Sequence, residues 1–563
     1  MGGVSVPQAD LRRAVGTIRD LAGRFPGRLS GTPAQRDAAA WFLDAFRAAG
    51  LDAHLEAFRS LNSTVVPGRL EVVGGAGEGM LAQTLGFARA TPPGGLVLEL
   101  VDAAGGGADD YPPGAAGRAA LVSGYEGPAT PEKARAAVRR GAAALVYISP
   151  RARSEELAYR AVKSVWGVPA PAELAEMPRI PALAVSYEQG QRLRRLLGEG
   201  RPVTVRLAAE QPEPTWDDMA NVVATLEPAG GGPAEEYVLV HAHLDSWDPG
   251  LTDNLTGNVL ALELARAFRP ALTPGRRGLI FCLWDGHEIA EAAGSASYVE
   301  RHWDFLRDRV VCQVNIDSPG LADARRVLAR QTPEMLRFQQ EIHAALGVDD
   351  AVYESLDRSA DQSFFGAGLP GCYVFGTGPA APAPDELPVL WYTHTRADNM
   401  ERFGEAHLAQ FAAIYAAYLD RLTATARLPF DFAPYVERIE AALGRWGGAD
   451  LDLEPLRVDL GAIRRGIGLL EGTADTTFNA RGRALARLLV ASLLTTVSPY
   501  RQDRYGATEF TAASFPATAG IDAFARGDGA DPREAQLAAA LRERNRLADT
   551  LRRARALLTD ATI

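Results

Sequence analysis

The stretch HLDSWDPGLTDNLTG, residues 243–257, follows the apolar run YVLVHA and holds one histidine and three aspartates within its first eleven positions. Two later apolar runs, GLIFCLW (278–284) and VVCQVN (310–315), also lead into polar residues, and helical patterns such as NVLALELARAF lie between the runs. Apolar strands that alternate with helices predict an α/β fold with a mixed, largely parallel sheet sandwiched by helices. Ligands bind at the carboxyl ends of such strands, where these acids lie.

The amino-acid composition and the pattern of apolar residues change along the chain, and these changes predict a division into four parts. The content of Gly, Ala and Pro is higher between two core segments. Short strand patterns there, such as GRAALVSGY, indicate an inserted α+β domain. Long helical patterns such as REAQLAAALRERNRLADTLRRARALL predict an all-helical C-terminal domain. We assign the N-terminal part of the core to 1–60, the insert to 61–205, the rest of the core to 206–428 and the helical domain to 429–563.

Composition narrows the class of protein. The 563 residues carry a formal net charge of −11 and are 47% hydrophobic, so nothing favours a nucleic acid or an anionic membrane as a partner. The three cysteines lie far apart in apolar contexts, which predicts buried thiols rather than disulfides or a cysteine zinc site. No signal peptide and no run of about 18 to 20 apolar residues is found, so we expect a soluble, cytoplasmic protein.

Five polar residues beyond the apolar runs form a candidate metal site. They are His243, Asp253, Glu288, Asp317 and His394. Two imidazoles and three carboxylates suit zinc and similar divalent ions. Five side chains exceed one tetrahedral site, and they suit a pair of ions bridged by a carboxylate and a water that attacks a carbonyl. His241 would point to the same face as His243, but the motif HLD (243–245) favours His243 as the ligand.

Several stretches of the chain together resemble a known enzyme family. They are HAHLDSWDPGLTDNLTG, LIFCLWDGHEIAEAAGSASYV, QVNIDSPG and WYTHTRADNM. These stretches are similar to those of the co-catalytic zinc exopeptidases, which include bacterial and yeast aminopeptidases, glutamate carboxypeptidase II and the transferrin receptor. The insert resembles their protease-associated domain, and the C-terminal helices resemble, more loosely, the dimerisation domain of the carboxypeptidase and the receptor.

The resemblance implies two zinc ions and a role for each of the five residues. Asp253 would bridge the two metals. His243 and Glu288 would bind the first metal, and Asp317 and His394 would bind the second.

The sequence departs from the family pattern at the general base. Active members carry a second glutamate directly before the metal-binding glutamate, whereas this chain has His287 there. His287 could itself be the base, because a neutral imidazole accepts a proton near pH 7. Alternatively, His287 binds a metal or substrate while another group such as Glu291 assists the water, or the peptidase activity is lost. Asp245 resembles the family acid that orients the imidazole of His243.

A candidate substrate loop, LDRSADQSFFGAGLPG (356–371), and the later stretch WYTHTRADNM supply the remaining predicted contacts. Arg358, Asp361 and Tyr392 are candidates for gripping the substrate, and Arg358 would suit a carboxylate. We therefore expect a dinuclear zinc hydrolase of small peptide or amide substrates, with His287 and Asp245 as catalytic residues and a homodimer formed through the C-terminal domain. The alternatives are a metal-containing scaffold protein and an acyl-transfer or cyclising enzyme on the same fold.

Overall fold

The computed structural model describes residues 6–74, 79–124, 126–149, 156–228, 235–380, 389–504, 515–528 and 531–559. Fifteen strands occur within these ranges: β1 (Asp52–Asn62), β2 (Pro67–Val72), β3 (Met80–Thr84), β4 (Leu96–Asp102), β5 (Ala119–Ser123), β6 (Ala144–Ile148), β7 (Ala182–Val185), β8 (Thr204–Ala209), β9 (Thr215–Leu226), β10 (Tyr237–His243), β11 (Gly278–Trp284), β12 (Val310–Asn315), β13 (Arg326–Gln331), β14 (Val352–Ser355) and β15 (Gly371–Thr377).

The α-helices of the same ranges cover both the core and the C-terminal part. They are α1 (Leu11–Arg24), α2 (Pro33–Ala48), α3 (Thr130–Arg139), α4 (Pro171–Glu176), α5 (Tyr187–Gly198), α6 (Thr256–Phe268), α7 (Ala293–Arg301), α8 (Trp303–Arg309), α9 (Leu336–Ala345), α10 (Glu405–Ala424), α11 (Ala433–Arg445), α12 (Glu454–Glu471), α13 (Asp475–Leu493), α14 (Ala519–Arg526) and α15 (Arg533–Thr559).

The central sheet has eight strands in the order β1-β9-β11-β10-β12-β15-β13-β14. Its middle strands β11, β10, β12 and β15 are parallel to one another, while β1 and β9 add antiparallel strands at one edge. The three apolar runs predicted as strands form β10, β11 and β12. Every residue of β11 and β12 is buried, as expected for strands covered by helices on both faces. The predicted mixed α/β class is therefore confirmed.

A second sheet closes on itself between β1 and β9. Strands β2 to β8 form a seven-stranded closed barrel in the order β2-β3-β7-β6-β5-β4-β8, and α3, α4 and α5 belong to the same stretch of chain. We call this unit the barrel insert (residues 67–209). The predicted boundary at 205 falls inside β8, and the boundary at 60 falls inside β1. Each strand continues past the predicted boundary. The change in Gly and Pro content, on which the boundaries were based, therefore did not mark the ends of these strands.

The C-terminal helices pack onto the core rather than around a separate interior. One continuous cluster of buried apolar side chains runs from α1 through the central sheet to α10 and on to α11–α15, and it includes Trp446 and Leu558. After residue 428 the described residues form helices and no strand. No helix within the described ranges combines the length and apolar character that crossing a membrane requires.

Candidate metal centre

The five predicted ligands converge at the carboxyl end of the parallel strands. His243 is the last residue of β10, and Asp253 lies in the tight turn Leu251–Leu255 that leads into α6. Glu288 and Asp317 follow β11 and β12, and His394 lies in the segment between β15 and α10. The chain order of the strands thus brings together residues that are up to 151 positions apart in sequence, from His243 to His394.

Asp253 lies at the centre of the cluster. Its Oδ1 is 3.0 Å from Nε2 of His243, and its Oδ2 is 3.1 Å from Nε2 of His394. The two oxygens of one carboxylate therefore face two different imidazoles. This arrangement is the one that a carboxylate bridging two metal ions requires.

The shortest remaining contacts between ligand atoms favour a division between the two metals that differs from the predicted one. Nε2 of His243 is 3.6 Å from Oδ1 of Asp317, and Nε2 of His394 is 3.2 Å from Oε2 of Glu288. Ligand atoms of His243, Asp253 and Glu288 also lie within 4.8 Å of one another, so the cluster is compact. The register explains the pairing: His241 on β10 is level with Asn315 on β12, so two residues further on His243 is level with Asp317.

The donor set fits divalent metal ions. Ligand atoms bound tetrahedrally at 2.0–2.2 Å from zinc lie roughly 3.3–3.6 Å apart, close to the separations found here. Oε1 of Glu288 is buried and has no hydrogen-bond partner in the described part of the chain. Burial and then the charge of Asp253 raise the pKa of Glu288 well above its ordinary value. Crowded carboxylates of this kind need a positive charge between them.

His243 has the tautomer that metal binding through Nε2 requires. Its Nδ1 is 2.9 Å from the main-chain carbonyl oxygen of Asp245, and because a carbonyl only accepts, Nδ1 carries the proton. The contact to the His243 ring thus comes from the main chain of Asp245, whereas the resemblance assigned this role to its side chain. The Asp245 carboxylate instead accepts hydrogen bonds from the main-chain N–H groups of His287 and Glu288, at 3.0 Å each. It fixes the loop that carries these two residues.

Asp398 is a site residue that the sequence did not reveal. Its carboxylate accepts hydrogen bonds from the hydroxyl and the main-chain N–H of Thr252, at 2.7 and 2.9 Å, and from the N–H of Asp253 at 3.1 Å. These contacts hold the turn that aims Asp253 at both imidazoles. The only signal was its place in the quoted stretch THTRADNM, four residues after His394.

His287 lies in the metal centre and is paired with a carboxylate. Its ring stacks on the ring of His243 with centroids 4.0 Å apart, and its Nδ1 is 2.9 Å from Oδ2 of Asp361. Burial opposes a charge on His287, but the nearby Asp361 carboxylate outweighs burial and raises the pKa of His287 to about 9. The hydroxyl of Ser295 donates to the other oxygen of Asp361 at 2.9 Å. Asp361 thus contacts His287, which differs from its predicted role as a substrate contact.

Two other predicted substrate contacts point elsewhere. Arg358 is 2% exposed, and it pairs with Asp503 at 3.4 Å and donates to Gln502 in the segment before α14. Tyr392 is buried and its hydroxyl donates to Asp323 at 3.0 Å. These contacts hold loops together. Sequence reasoning missed this because Asp503 lies far from Arg358 along the chain.

The barrel insert closes one side of the site. A cavity of about 250 Å³ is lined by His287, Glu288 and His394 from the core together with Arg160 and Trp166 from the insert. The guanidinium of Arg160 lies against Nδ1 of His394, and the N–H of Tyr159 donates to the carbonyl of His394 at 2.8 Å. Arg160 has no motif around it, so only the fold could reveal it. His241, the alternative ligand, is instead bonded to Gln313.

Two histidines and three carboxylates lie at the carboxyl edge of the parallel strands, and one carboxylate faces both histidines, which is the arrangement that the resemblance to the co-catalytic zinc exopeptidases predicts. Residues 221–419 match the sequence profile of Peptidase family M28. The resemblance to the co-catalytic zinc exopeptidases that the sequence indicated is confirmed.

Individual relatives agree with this assignment. The chain is 25% identical over 423 residues to aminopeptidase YwaD of Bacillus subtilis (strain 168), a match that covers 72% of this chain and 84% of the relative. It is 25% identical over 331 residues to rat (Rattus norvegicus) transferrin receptor protein 2, covering 50% of this chain but only 40% of the receptor. The chain thus spans less than half the length of the receptor. The solved structure of a zinc aminopeptidase from Bacillus subtilis superimposes with a TM-score of 0.57 at 21% identity, covering 75% of this chain and 98% of that one.

Proposed function

We propose that the protein is a dinuclear-metal hydrolase of peptide or amide bonds in which His287 transfers the proton. The observation that carries this proposal is the Asp253 carboxylate, whose two oxygens face His243 and His394 at 3.0 and 3.1 Å. Two divalent ions, best supplied as zinc, would be held by His243 with Asp317 and by His394 with Glu288. Such a pair supplies an activated water and stabilises negative charge on the carbonyl oxygen.

The chain's own residues provide the proton transfer. The carboxylate of Asp361 lies 2.9 Å from Nδ1 of His287 and would hold the proton on that nitrogen. Two bound cations would oppose a charge on the imidazole and lower its pKa, so Nε2 of the neutral ring would accept a proton from the attacking water. The same nitrogen can then donate that proton to the leaving nitrogen of the substrate. The contact between His287 and His243 places the imidazole beside the metal ligands, where the proton must be moved.

The cavity supports a small substrate. Its volume of about 250 Å³ lies below the usual range of about 300–1,000 Å³ for sites that bind drug-sized molecules. Arg160 offers a positive charge, and Glu291 offers a buried carboxylate, on the wall of the same cavity. A dipeptide or an acylated amino acid would fill this space with its scissile bond near His287.

The test is turnover by the zinc-loaded protein of a panel of dipeptides, aminoacyl anilides and acyl-amino acids. We expect the wild type to hydrolyse at least one class, and His287→Ala to lose that activity while both metals stay bound. Turnover only by His287→Glu would show a retired peptidase. Two bound metals without turnover in any variant would favour the scaffold alternative, and a cyclised or transferred product would favour the acyl-transfer alternative.

We further propose that two copies associate through α12. Val458 and Leu469 on this helix are 59% and 73% exposed, and their spacing of eleven residues puts them on one face. Sedimentation velocity should show a dimer for the wild type and a monomer for Val458→Glu combined with Leu469→Glu. Leu81→Glu, at a 76% exposed position of the barrel insert, is the matched control and should remain dimeric. A wild-type monomer would contradict the proposal.

A further inference from the structure

A second cavity lies away from the metal centre, between the core and the C-terminal helices. Its volume is about 740 Å³, and its walls come from α8, α13, α15 and the segment that follows α13. None of the residues assigned to the metal centre lines it. We call it the arginine cavity, after four arginines in its wall: Arg307, Arg483, Arg487 and Arg553.

Three of these arginines are fixed by contacts at their outer ends. Arg483 donates to Glu236 at 2.6 Å and to the main-chain oxygen of Asp308. Arg307 donates to the main-chain oxygen of Ala367 at 3.2 Å, and its guanidinium lies 5.8 Å from the ring centre of Trp303. Arg553 is mostly exposed and lies 3.8 Å from Asp549. Among the described residues, Asp308 is the one acidic residue that lines the cavity beside the four arginines.

Arg487 has two buried hydrogen-bond donors, Nε and Nη2, that meet no acceptor in the described part of the chain. Burial, followed by the like charges of Arg483 and Arg307, lowers the pKa of Arg487 to about 9. A buried guanidinium donor without an acceptor is costly. An anion placed in the cavity would supply the missing acceptor and relieve the repulsion between the guanidinium groups.

We propose that the arginine cavity binds a small, doubly charged oxyanion, either a phosphate group or a dicarboxylate. A planar guanidinium pairs with such oxyanions through two parallel hydrogen bonds, and neighbouring arginines share the two charges. Trp303 and the 79% exposed Tyr500, with ring centres 5.4 Å apart, provide a flat apolar surface at the cavity for the organic part of the ligand. This inference does not depend on the proposed hydrolase activity.

The test uses the zinc-loaded protein, titrated calorimetrically with orthophosphate and with succinate, against sodium chloride at equal ionic strength. We expect one of the two anions to bind and to raise the melting temperature of the wild type. Arg487→Gln should weaken that binding by about tenfold or more, because it removes a charge-assisted donor. Arg552→Gln, an exposed arginine of α15 outside the cavity, is the matched control and should bind as the wild type does.

Phosphate can also bind at a metal centre, so the titration is repeated on Asp253→Asn. Binding to the arginine cavity persists in that variant and is lost in Arg487→Gln. Arg307→Gln gives a second measurement should Arg487→Gln fold poorly, and it should weaken binding in the same direction. The inference is overturned if neither anion binds, if the arginine variants bind as tightly as the wild type, or if Asp253→Asn abolishes the whole signal.

Discussion

At the residue scale, this chain differs from the active members of the family at the residue directly before the predicted metal-binding glutamate. A histidine stands where a glutamate is expected, and the structure pairs it with Asp361 in the way that a catalytic histidine is oriented by a carboxylate. Asp361 is therefore a positioning residue in our account. It lies in the loop predicted to contact substrate, 74 residues after His287.

The pairing leads to a prediction about Asp361→Asn. An amide cannot stabilise the imidazolium of His287, and it leaves the ring without a fixed tautomer, so kcat/KM should fall by about 10²-fold or more. Ser295→Ala, which removes only the donor to Asp361, should have a smaller effect. The measurement is steady-state kinetics with the metal content checked by elemental analysis. A kcat/KM within about twofold of the wild type for Asp361→Asn, with both metals bound, would remove His287 from the mechanism.

The sequence predicted which residues would gather at the metal centre, but not how they would be shared. The positions of the residues at the ends of predicted strands, and the order of the motifs along the chain, were enough to predict His243, Asp253 and Glu288 as metal ligands. The division between the two sites depends on the register of β10 against β12, which sequence does not display. The partner of Arg358 was out of reach for a related reason, since Asp503 approaches it only after the C-terminal helices have packed.

At the element scale, the barrel insert holds the loop that carries His287. Gly167 donates its N–H to the carbonyl of Glu291 at 2.7 Å, and Nζ of Lys163 donates to the carbonyl of Ala290 at 2.5 Å. Gly167 has φ +78°, and a Cβ there would lie 2.5 Å from Cβ of Ala296. The close approach of two units thus depends on a glycine.

This contact predicts the effect of Gly167→Ala. The new methyl group should push the insert away from the loop after His287, and kcat/KM should fall by roughly tenfold or more, since small misplacements of catalytic groups are costly. Gly200→Ala is the matched control, because Gly200 has φ +74° but open space around it. It should cost about 1 kcal/mol of stability through backbone strain and leave kinetics unchanged. Equal kinetics for both variants would contradict a role for the contact.

A buried carboxyl group joins the core to the C-terminal helices and should make stability depend on pH. The hydroxyl of Tyr435 on α11 donates to Glu334 at 3.0 Å, and burial raises the pKa of Glu334 from 4.5 to about 7. The folded state therefore binds the proton more tightly than the unfolded state. The contribution of protonated Glu334 to the free energy of unfolding is complete below pH 4.5, and it is lost as the pH rises through about 7.

Glu334→Gln tests this dependence by chemical denaturation between pH 5 and 8. Over this range the wild type should lose stability relative to the variant, and the full shift from 4.5 to about 7 corresponds to roughly 3 kcal/mol. The amide keeps the size of the side chain but does not titrate. Parallel stability curves for the two proteins would show that Glu334 keeps an ordinary pKa.

The strands of the central sheet were predictable because each is a short apolar run that ends in polar residues. The barrel insert was only partly predictable from the sequence. Its short strand β5 was visible in the sequence as the pattern GRAALVSGY, but the closure of the barrel pairs β2 with β8, about 130 residues apart. Pairings at such distances are set by packing and leave no local pattern.

At the scale of the whole molecule, the C-terminal part is tied to the loop beside the metal centre. Arg358 and Asp503 form a buried ion pair, and the amide of Gln502 donates to the carbonyl of Ser363 at 3.1 Å. Asp361 lies between these two anchors along the chain. The C-terminal segment therefore supports the loop that orients His287.

This support predicts that Arg358→Met destabilises the protein rather than weakening substrate binding. Removing one partner of a buried ion pair should cost about 3–5 kcal/mol in the free energy of unfolding. The double variant with Asp503→Asn should lose less than the sum of the two single losses. KM should change little at a temperature where both proteins are folded. A stable Arg358→Met variant with a strongly raised KM would instead support the carboxylate-binding role predicted from sequence.

The zinc content of the saturated and dialysed protein, measured for the wild type and for Asp253→Ala, tests directly whether the cluster holds two metal ions. We expect two equivalents of zinc per chain in the wild type and at most one in the variant, because the two oxygens of the Asp253 carboxylate face the two histidines. A wild type that retains one equivalent or none, or a variant that retains both, would contradict the claim that this cluster is a cage for two metal ions.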